Sequence, residues 1–476
     1  MSFNSLNIPQ ANGLVSAADL ADLNSALRKS ATIGYQTPAG TSGGDTGSLS
    51  PLVPQSIENI LASATYSMKQ LALWPAMPKV SVTNTLHEYA VINSHGLDID
   101  PFISEGSAGT TNRSEYQRKS IRIKYLAERR EVTDVGTLVG LIGANQNAIA
   151  LETERGTLSL LAKLEKAMFH AKESNNPLHF DGIIHQIESY NNGSNVFDAR
   201  GASPSPRLPQ DILAKLYSAP LYGTPDCIYV TPDIHGELIK FAVQFGRHDQ
   251  LVLTNSSSIT YGTQEISIMG PVGPVPVKSA PFLANNGKAP DTGSATTGAA
   301  STPVLTSAVV ASDSASQFIA SDAGDYFYKV VAINNSGYSA PVTSASKTVA
   351  AGEKVTLTIA QQSDAIYFKI FRTPVDRPAT EAVLINEVPA TSGGATVFVD
   401  RNENLANGHK MVFVQHSSEI MEFAKLLDFF RRPLAEVQTS KPFLLMLFGS
   451  PIVKVPSKCW IVKNVRVGSS LIETLG

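Results

Sequence analysis

Cysteine is nearly absent from this 476-residue chain: Cys227 and Cys459 are its only two, far apart and outside any C-x-x-C pattern. That spacing excludes a disulfide framework and the usual zinc sites, and two buried, inert thiols are the expectation. Charge is also sparse. Only 17% of residues are Asp, Glu, Lys or Arg, against about 25% in an ordinary soluble domain. The 38 basic and 41 acidic residues leave a net charge of −3, which excludes a strongly basic nucleic-acid coat. The start, MSFNSLNIPQANG, has neither a basic cluster nor an apolar run, so no secretory signal is expected. The longest clear apolar run, Phe443 to Phe448, is far below membrane-spanning length. P-loop, G-x-S-x-G, H-E-x-x-H and Rossmann patterns are all missing, which argues against an enzyme.

What the chain does have is one long helical pattern, from Ala148 to Ser174. Leu160, Leu161, Leu164, Ala167, Met168 and Ala171 fall on a single stripe. At 1.5 Å per residue it would be roughly 40 Å long, a beam with nothing catalytic on it. Gly156 is its one poor helix former, and a bend is expected there.

Upstream, residues 1–50 are polar, with a short amphipathic helix expected over Ala17–Lys29 and a Gly/Ser/Thr linker over 38–51. A second helix is expected from Pro54 to Leu73, ended by Trp74-Pro75. TLHEYAVINSHG (85–96) and KSIRIKYLAERREVT (119–133) alternate as strands, with a polar stretch between them. Two long strands with a long tip make a protruding hairpin, which is marginal alone in water and is expected to rest on a neighbouring subunit.

After the long helix, helices are expected at 208–218 and 232–245, and strands at 226–231 and within 260–283, a mixed arrangement of the α+β or α/β kind. Composition then shifts. Residues 285–303 read as a low-complexity linker, and six or seven strand patterns fill 304–400, the size and rhythm of an immunoglobulin-like sandwich. DYFYKVVAINNSGYSAP within it resembles the fibronectin type III pattern. From Lys410 the earlier style returns: a strand at 411–415, a helical turn at 420–427, and long apolar strands over 442–467. The sandwich is therefore inserted into a host domain.

The order of these parts carries a resemblance. LHFDGIIHQIES followed by NVFDARG after the long helix, the insert's exit through FVDRNENL, and the closing FLLMLFGSPIVKVPSKCWIVKNVRV resemble the major capsid proteins of tailed bacteriophages, those of the large myophages in particular. The resemblance implies an α+β, Hong Kong 97-type capsid fold with an inserted all-β immunoglobulin-like sandwich. It would divide the chain into an N-terminal arm and helix (1–75), an extended hairpin loop (76–133), a peripheral domain with the long helix as its spine (134–177), an axial domain (178–284), the insert (285–409), an axial return (410–440) and closing strands of the peripheral domain (441–476).

The function so implied is self-assembly as hexamers and pentamers into an icosahedral head enclosing double-stranded DNA without sequence-specific binding. Portal, scaffold or decoration proteins would be partners, outer-surface contacts would run through the insert, and no membrane would be involved. The particle would assemble in the host bacterial cytoplasm. Inter-subunit contacts would fall on Phe102, Glu105, Arg113, Arg129, Arg130, Arg431 and Arg432, with no catalytic, metal or cofactor site. Some relatives crosslink through a loop lysine; here Asn84 to Arg118 contains none, and a non-crosslinked shell is expected. The alternatives are another virion protein such as a tail sheath, or an extracellular adhesin with an immunoglobulin-like binding module.

One ligand-type cluster stands out: His179, Asp181, His185 and Glu188. Polar residues at a domain junction are the plainer reading, since closed metal sites need three or four convergent ligands. Asp226 beside Cys227 has no evident base partner in sequence. The Arg129-Arg130 and Arg431-Arg432 pairs fit ion pairs, subunit contacts or packaged phosphates.

Overall fold

The computed structural model describes residues 65, 67–96, 99–138, 147–245, 266–285, 287–436 and 438–467. Contacts divide the chain into two units. One, residues 1–63 with 139–147, lies almost wholly outside the described residues, as do the helix expected over Ala17–Lys29 and most of that expected over Pro54–Leu73. The other, residues 64–138 with 148–476, holds the helices and strands of the described residues.

Leu73–Ala76 forms a short helical turn. Trp74-Pro75 thus opens a helix, where the expectation was that it ends one. Pro75 sits in the first turn, where backbone N–H groups have no intrahelical partner and proline loses nothing. Strands β1 (Lys79–Ser81), β2 (Leu86–Ser94), β3 (Glu115–Arg122) and β4 (Lys124–Thr133) come next. β2 and β3 pair antiparallel as an isolated two-stranded hairpin. β4, expected to continue the hairpin, leaves it for a different sheet.

The long helix spans Ala148–His170, about 35 Å at 1.5 Å per residue. It is one α-helix through Gly156. A Cβ at that position would lie 2.5 Å from Leu445 Cδ1 and 3.3 Å from Arg130 Cγ, so the glycine lets the helix approach the sheet beneath it. Helices Ile183–Glu188, Arg207–Tyr217 and Pro232–Phe245 alternate with β5 (Val196–Asp198), β6 (Cys227–Val230), β7 (Ser267–Met269) and β8 (Pro274–Ser279).

The insert is all β: β9 (Leu305–Ser312), β10 (Gly324–Tyr326), β11 (Tyr328–Asn334), β12 (Gly337–Tyr338), β13 (Val342–Thr343), β14 (Lys347–Val349), β15 (Glu353–Ile359), β16 (Tyr367–Arg372), β17 (Val383–Pro389) and β18 (Thr396–Asp400). A five-stranded sheet is built on β12-β11-β16-β17 with β13 beside β11, and a three-stranded one runs β18-β15-β9. Tyr328, Ile370 and Ile385 of the first share a core with Val355, Leu357 and Phe398 of the second. The stretch expected to be a free linker, 285–303, is laid along the insert instead: Ala289 N–H donates to Ala382 O, Thr296 N–H to Tyr338 O, and Ser301 to Asp364.

Four strands close the chain: β19 (His409–Val414), β20 (Met421–Pro433), β21 (Ser440–Val453) and β22 (Trp460–Val465). The expected helical turn at 420–427 is therefore β20. Its Met421–Ala424 run is buried between β1 and β21, and sheet pairing overrides local helix preference. The sheets also divide this stretch differently from the blocks 410–440 and 441–476. β20 and β21 join β1 and β4 (order β1-β20-β21-β4), while β19 and β22 join the six-stranded sheet β5-β22-β19-β6-β8-β7.

The central strands of that sheet, β22, β19 and β6, are buried on both faces, which explains their unbroken apolar runs. Tyr229, Val412, Val414 and Ile461 face the core under the long helix, with Leu164, Met168, Phe169 and Ile183. Ile228, Val230, Phe413 and Val462 face the helices Arg207–Tyr217 and Pro232–Phe245 through Leu213, Leu216, Ile234 and Leu238.

Candidate functional site

The features that stand out are surfaces rather than a reaction centre. The β2–β3 hairpin carries the first. Its register pairs Ala90 with Arg118 and Ile92 with Tyr116, so Leu86, Ala90, Ile92, Tyr116, Arg118 and Arg122 share one face by strand alternation, and that face is exposed. The opposite face, with Tyr89 and Ile121, packs at the hairpin root against Val82, Ile123, Ala424 and Ile452. There His87 Nε2 lies 3.7 Å from the buried Glu422, which Lys454 also pairs at 2.8 Å.

Beyond the paired strands lies the tip. Gly96 (φ +131°) makes its first turn, where a Cβ would overlap Asn112. Phe102 is 88% exposed and Ile103 60%, with Asp100 accepting the Phe102 N–H at 3.0 Å. Glu105 and Arg113 are exposed there too, and neither side chain has an ion pair among the described residues.

The second surface is the outer face of β4, β21 and β20. Register splits each arginine pair between the two faces. Arg129, Leu444 and Arg432 lie in one row; Glu128, Leu445 and Arg431 lie in the next, on the other side. The helix-facing side is satisfied within the chain. Arg130 meets Glu128 at 2.5 Å and Glu152 at 3.4 Å, and Lys163 and Ser159 also bond Glu128. Burial alone would raise the Glu128 carboxyl, but its bonds from Lys163, Arg130 and Ser159 outweigh that and hold it below the usual range. Arg431 stacks over Phe443 at 4.7 Å. On the outer face Arg129 meets only Glu131, both exposed, and Arg432 has no ion pair among the described residues. Further along the same face, at the Met446 and Phe448 rows, runs an aromatic stripe: Tyr125 edge-on to Phe448 at 4.8 Å, and Phe430 to Phe448 at 6.1 Å.

The four-residue ligand-type cluster does not converge. Asp181 accepts the Glu173 N–H at 2.8 Å, Glu188 pairs with Lys410 at 3.4 Å, and His185 stays 3.8 Å from Asp181. Among the described residues no group of three or more His, Cys, Asp or Glu could hold a metal. Both thiols are buried, which pushes Cys227 up to about 11 and Cys459 up to about 12, far from a reactive thiolate.

Sequence reasoning missed the partner of Asp226. His416 Nδ1 lies 2.8 Å from Asp226 Oδ1, and His416 Nε2 is 2.9 Å from Tyr229 Oη. This Asp–His–Tyr chain has the look of a relay, but Tyr229 is fully buried and burial drives its phenol well above the usual range. Tyr229 Oη instead donates to Ala72 O at 3.3 Å, fixing the segment that enters from the N-terminal side. Asp226 and His416 stand 190 positions apart, so no local motif could have signalled them.

No protein-family model matches the chain. It is 21% identical over 426 residues to the major capsid protein of Staphylococcus phage K, a match covering 86% of this chain and 89% of that one. The same figures hold for the major capsid protein of Staphylococcus phage S25-3. Both relatives are phage major capsid proteins, matched over nearly the whole of each chain. The chain's role is that of a capsid shell subunit. Among solved structures, this capsid protein is similar to the capsid of an empty GTA particle (10% identity, TM-score 0.46, 90% of this chain and 99% of that one). It is also similar to the holo-SrpI encapsulin of Synechococcus elongatus PCC 7942 (9% identity, TM-score 0.43, 90% and 98%). The capsid role rests on the sequence relatives, whose match runs nearly end to end.

Proposed function

We propose that this capsid protein assembles as hexamers and pentamers into an icosahedral head around double-stranded DNA. The hairpin carries the reading. A two-stranded ribbon with unpaired outer edges is marginal in water, and its tip presents Phe102 and Ile103 to solvent. A neighbouring subunit would supply the missing cover. The outer face of β4, β21 and β20 offers a matching surface, an aromatic stripe with the row of Arg129 and Arg432 beyond it along the strands. Phe102, Glu105, Arg113, Arg129 and Arg432 are then contact residues, while Arg130 and Arg431 hold the subunit together.

The DNA is held by confinement, in keeping with a net charge of −3 and no sequence-reading element among the described residues. Portal, scaffold or decoration proteins complete the particle, which forms in the bacterial cytoplasm. Two facing sheets around one core support reading 304–400 as an immunoglobulin-like module on the outer surface. Electron microscopy of the expressed protein tests the proposal: shells, or rings of five and six subunits, are expected. Tubes would point to a sheath and monodisperse monomers to an adhesin, and either would overturn it.

A further inference from the structure

The insert has its own core. Among the described residues, no hydrophobic cluster combines insert and host side chains: three lie wholly within 289–398 and three wholly outside. The insert also buries its own ion pair. Arg372, 1% exposed, bonds Asp400 at 2.6 Å and Asn402 at 2.6 Å, and Tyr328 Oη donates to the same Asp400 at 2.8 Å. A segment with a separate core and its own buried ion pair holds itself together without its surroundings.

What joins it to the host is polar. At the root, Leu405 N–H donates to Asn464 Oδ1 at 2.9 Å, and Asn464 Nδ2 donates to Glu403 O at 2.9 Å. Nearby, Arg200 reaches Gln317 O at 3.5 Å. A second contact lies at the C-terminal end of the long helix. Glu387 on β17 accepts from the buried Asn175 Nδ2 at 3.3 Å and pairs with Lys369 at 3.3 Å. Lys166 faces the same carboxylate: burial and Lys369 hold its ammonium below the usual range, and Glu387 works against both. Between the two contacts is an open, polar cleft of about 510 Å³, lined from the host by Lys172, His185 and Lys410 and from the insert by Gln317, Leu384 and Asn386.

We infer that the insert is a hinged module, anchored at the 403–405 root and latched to the long helix by Glu387, with the cleft as the space through which it swings. A latch made of one insert carboxylate against a host asparagine and lysine, Asn175 and Lys166, is electrostatic and partly solvated; the Lys369 pair lies within the insert itself. It therefore weakens with salt, as a packed apolar interface would not. Reversing its charge sets a cation against Lys166 and Lys369 and opens it.

The test is a distance measurement by spin-label electron resonance on the full-length chain. Labels go on Glu154→Cys, exposed on the long helix, and Thr306→Cys, exposed on β9. The native thiols are buried and stay unlabelled, and dilution with unlabelled chain leaves only intramolecular pairs. One narrow distance is expected at low salt. Its loss into a broad spread is expected in E387K, and in the Glu387-containing protein at about 1 M salt, where screening acts over roughly 3 Å. A second pair within the insert, Thr306→Cys with Ser392→Cys, should stay narrow throughout. A single narrow inter-body distance at high salt, or in a folded E387K, overturns the inference. So does broadening of the intra-insert pair, which would mean the module does not hold together alone.

Discussion

Glu165, fully buried toward the C-terminal end of the long helix, accepts the backbone N–H of Trp74 at 3.0 Å. The same carboxylate takes the N–H of Ala72 at 2.6 Å and of Leu73 at 2.9 Å. Pro75 follows with no N–H to satisfy. One side chain therefore meets all the free donors at the start of the Leu73–Ala76 turn, while Trp74 packs edge-on against Phe423 at 5.0 Å. The segment leading in from the N-terminal side is pinned to the long helix here, 92 residues away in sequence.

Glu165→Ala should be the costlier of two substitutions, because it leaves three donors, one buried and two part-buried, without an acceptor. A loss of about 2–4 kcal/mol is expected. Glu165→Gln keeps one acceptor oxygen and should lose less. Chemical denaturation of the soluble chain checks the order; equal midpoints for the two variants would contradict it.

Gly156 yields a prediction of unusual sign. In an exposed helix, Gly→Ala gains about 1 kcal/mol from propensity. Here the added methyl meets Leu445 Cδ1 at 2.5 Å, and Leu445 is fully buried. Gly156→Ala should therefore destabilise by about 1–2 kcal/mol through overpacking. In a Leu445→Ala background the obstacle is gone, and the same change should stabilise. A double-mutant cycle of thermal midpoints reads the reversal directly.

Much of this fold is legible in the sequence, and the gaps have a common cause. The long helix, the hairpin, the strands of the insert and the helices at 207–217 and 232–245 all announce themselves by period. The features that need partners from elsewhere do not. Glu165 looks like any surface glutamate, because the N–H groups it serves lie in another segment. β20 reads locally as helix and becomes strand only because β1 and β21 flank it. Arg129 and Arg130 look equivalent until register turns one to solvent and the other to Glu128. The residues expected at the assembly surface rest on family resemblance; which arginine of each pair turns outward could come only from strand pairing.

His170 sets a pH dependence. It sits at the end of the long helix with Nε2 3.0 Å from Leu283 O. Burial first, and the Lys410 charge second, lower it from the ordinary 6.5 to about 3. The folded chain keeps it neutral while the unfolded chain binds a proton near pH 6.5, so the unfolded state takes up more protons between those values. Stability should fall as pH drops below 6.5, by about 1–2 kcal/mol at pH 5, and His170 should contribute no slope above 6.5. His170→Gln should flatten that part of the curve. Denaturation midpoints from pH 7 to 5 that fall equally in both proteins would assign the dependence elsewhere.

The arginine pairs separate stability from assembly. Arg130→Ala strips Glu128 of its closest partner and should cost about 1–2 kcal/mol in the isolated subunit. Arg129→Glu with Arg432→Glu touches no buried group and should leave the melting temperature within about 1 °C. It reverses charge on the outer face, however, and should abolish shells in electron micrographs. Normal shells from the double variant would remove this face from the assembly contacts.

Covalent links between subunits are not expected. Capsid relatives that crosslink do so through a lysine on the extended loop, and here no lysine occurs from Asn84 to Arg118. The first one after it, Lys119, pairs with Tyr89 in the register and is half-buried on the face turned toward the hairpin root. Strand alternation puts it on the same face as Tyr89 and Ile121, which pack against the subunit's own core. Without a lysine on the loop, no isopeptide bond through it is expected, and burial and charge are expected to hold the shell. Mature particles boiled in SDS should run as monomers of 50.7 kDa. A ladder of covalent oligomers surviving in reducing buffer would require a lysine outside the loop to reach a neighbour, and a shell held by burial and charge alone would then be ruled out.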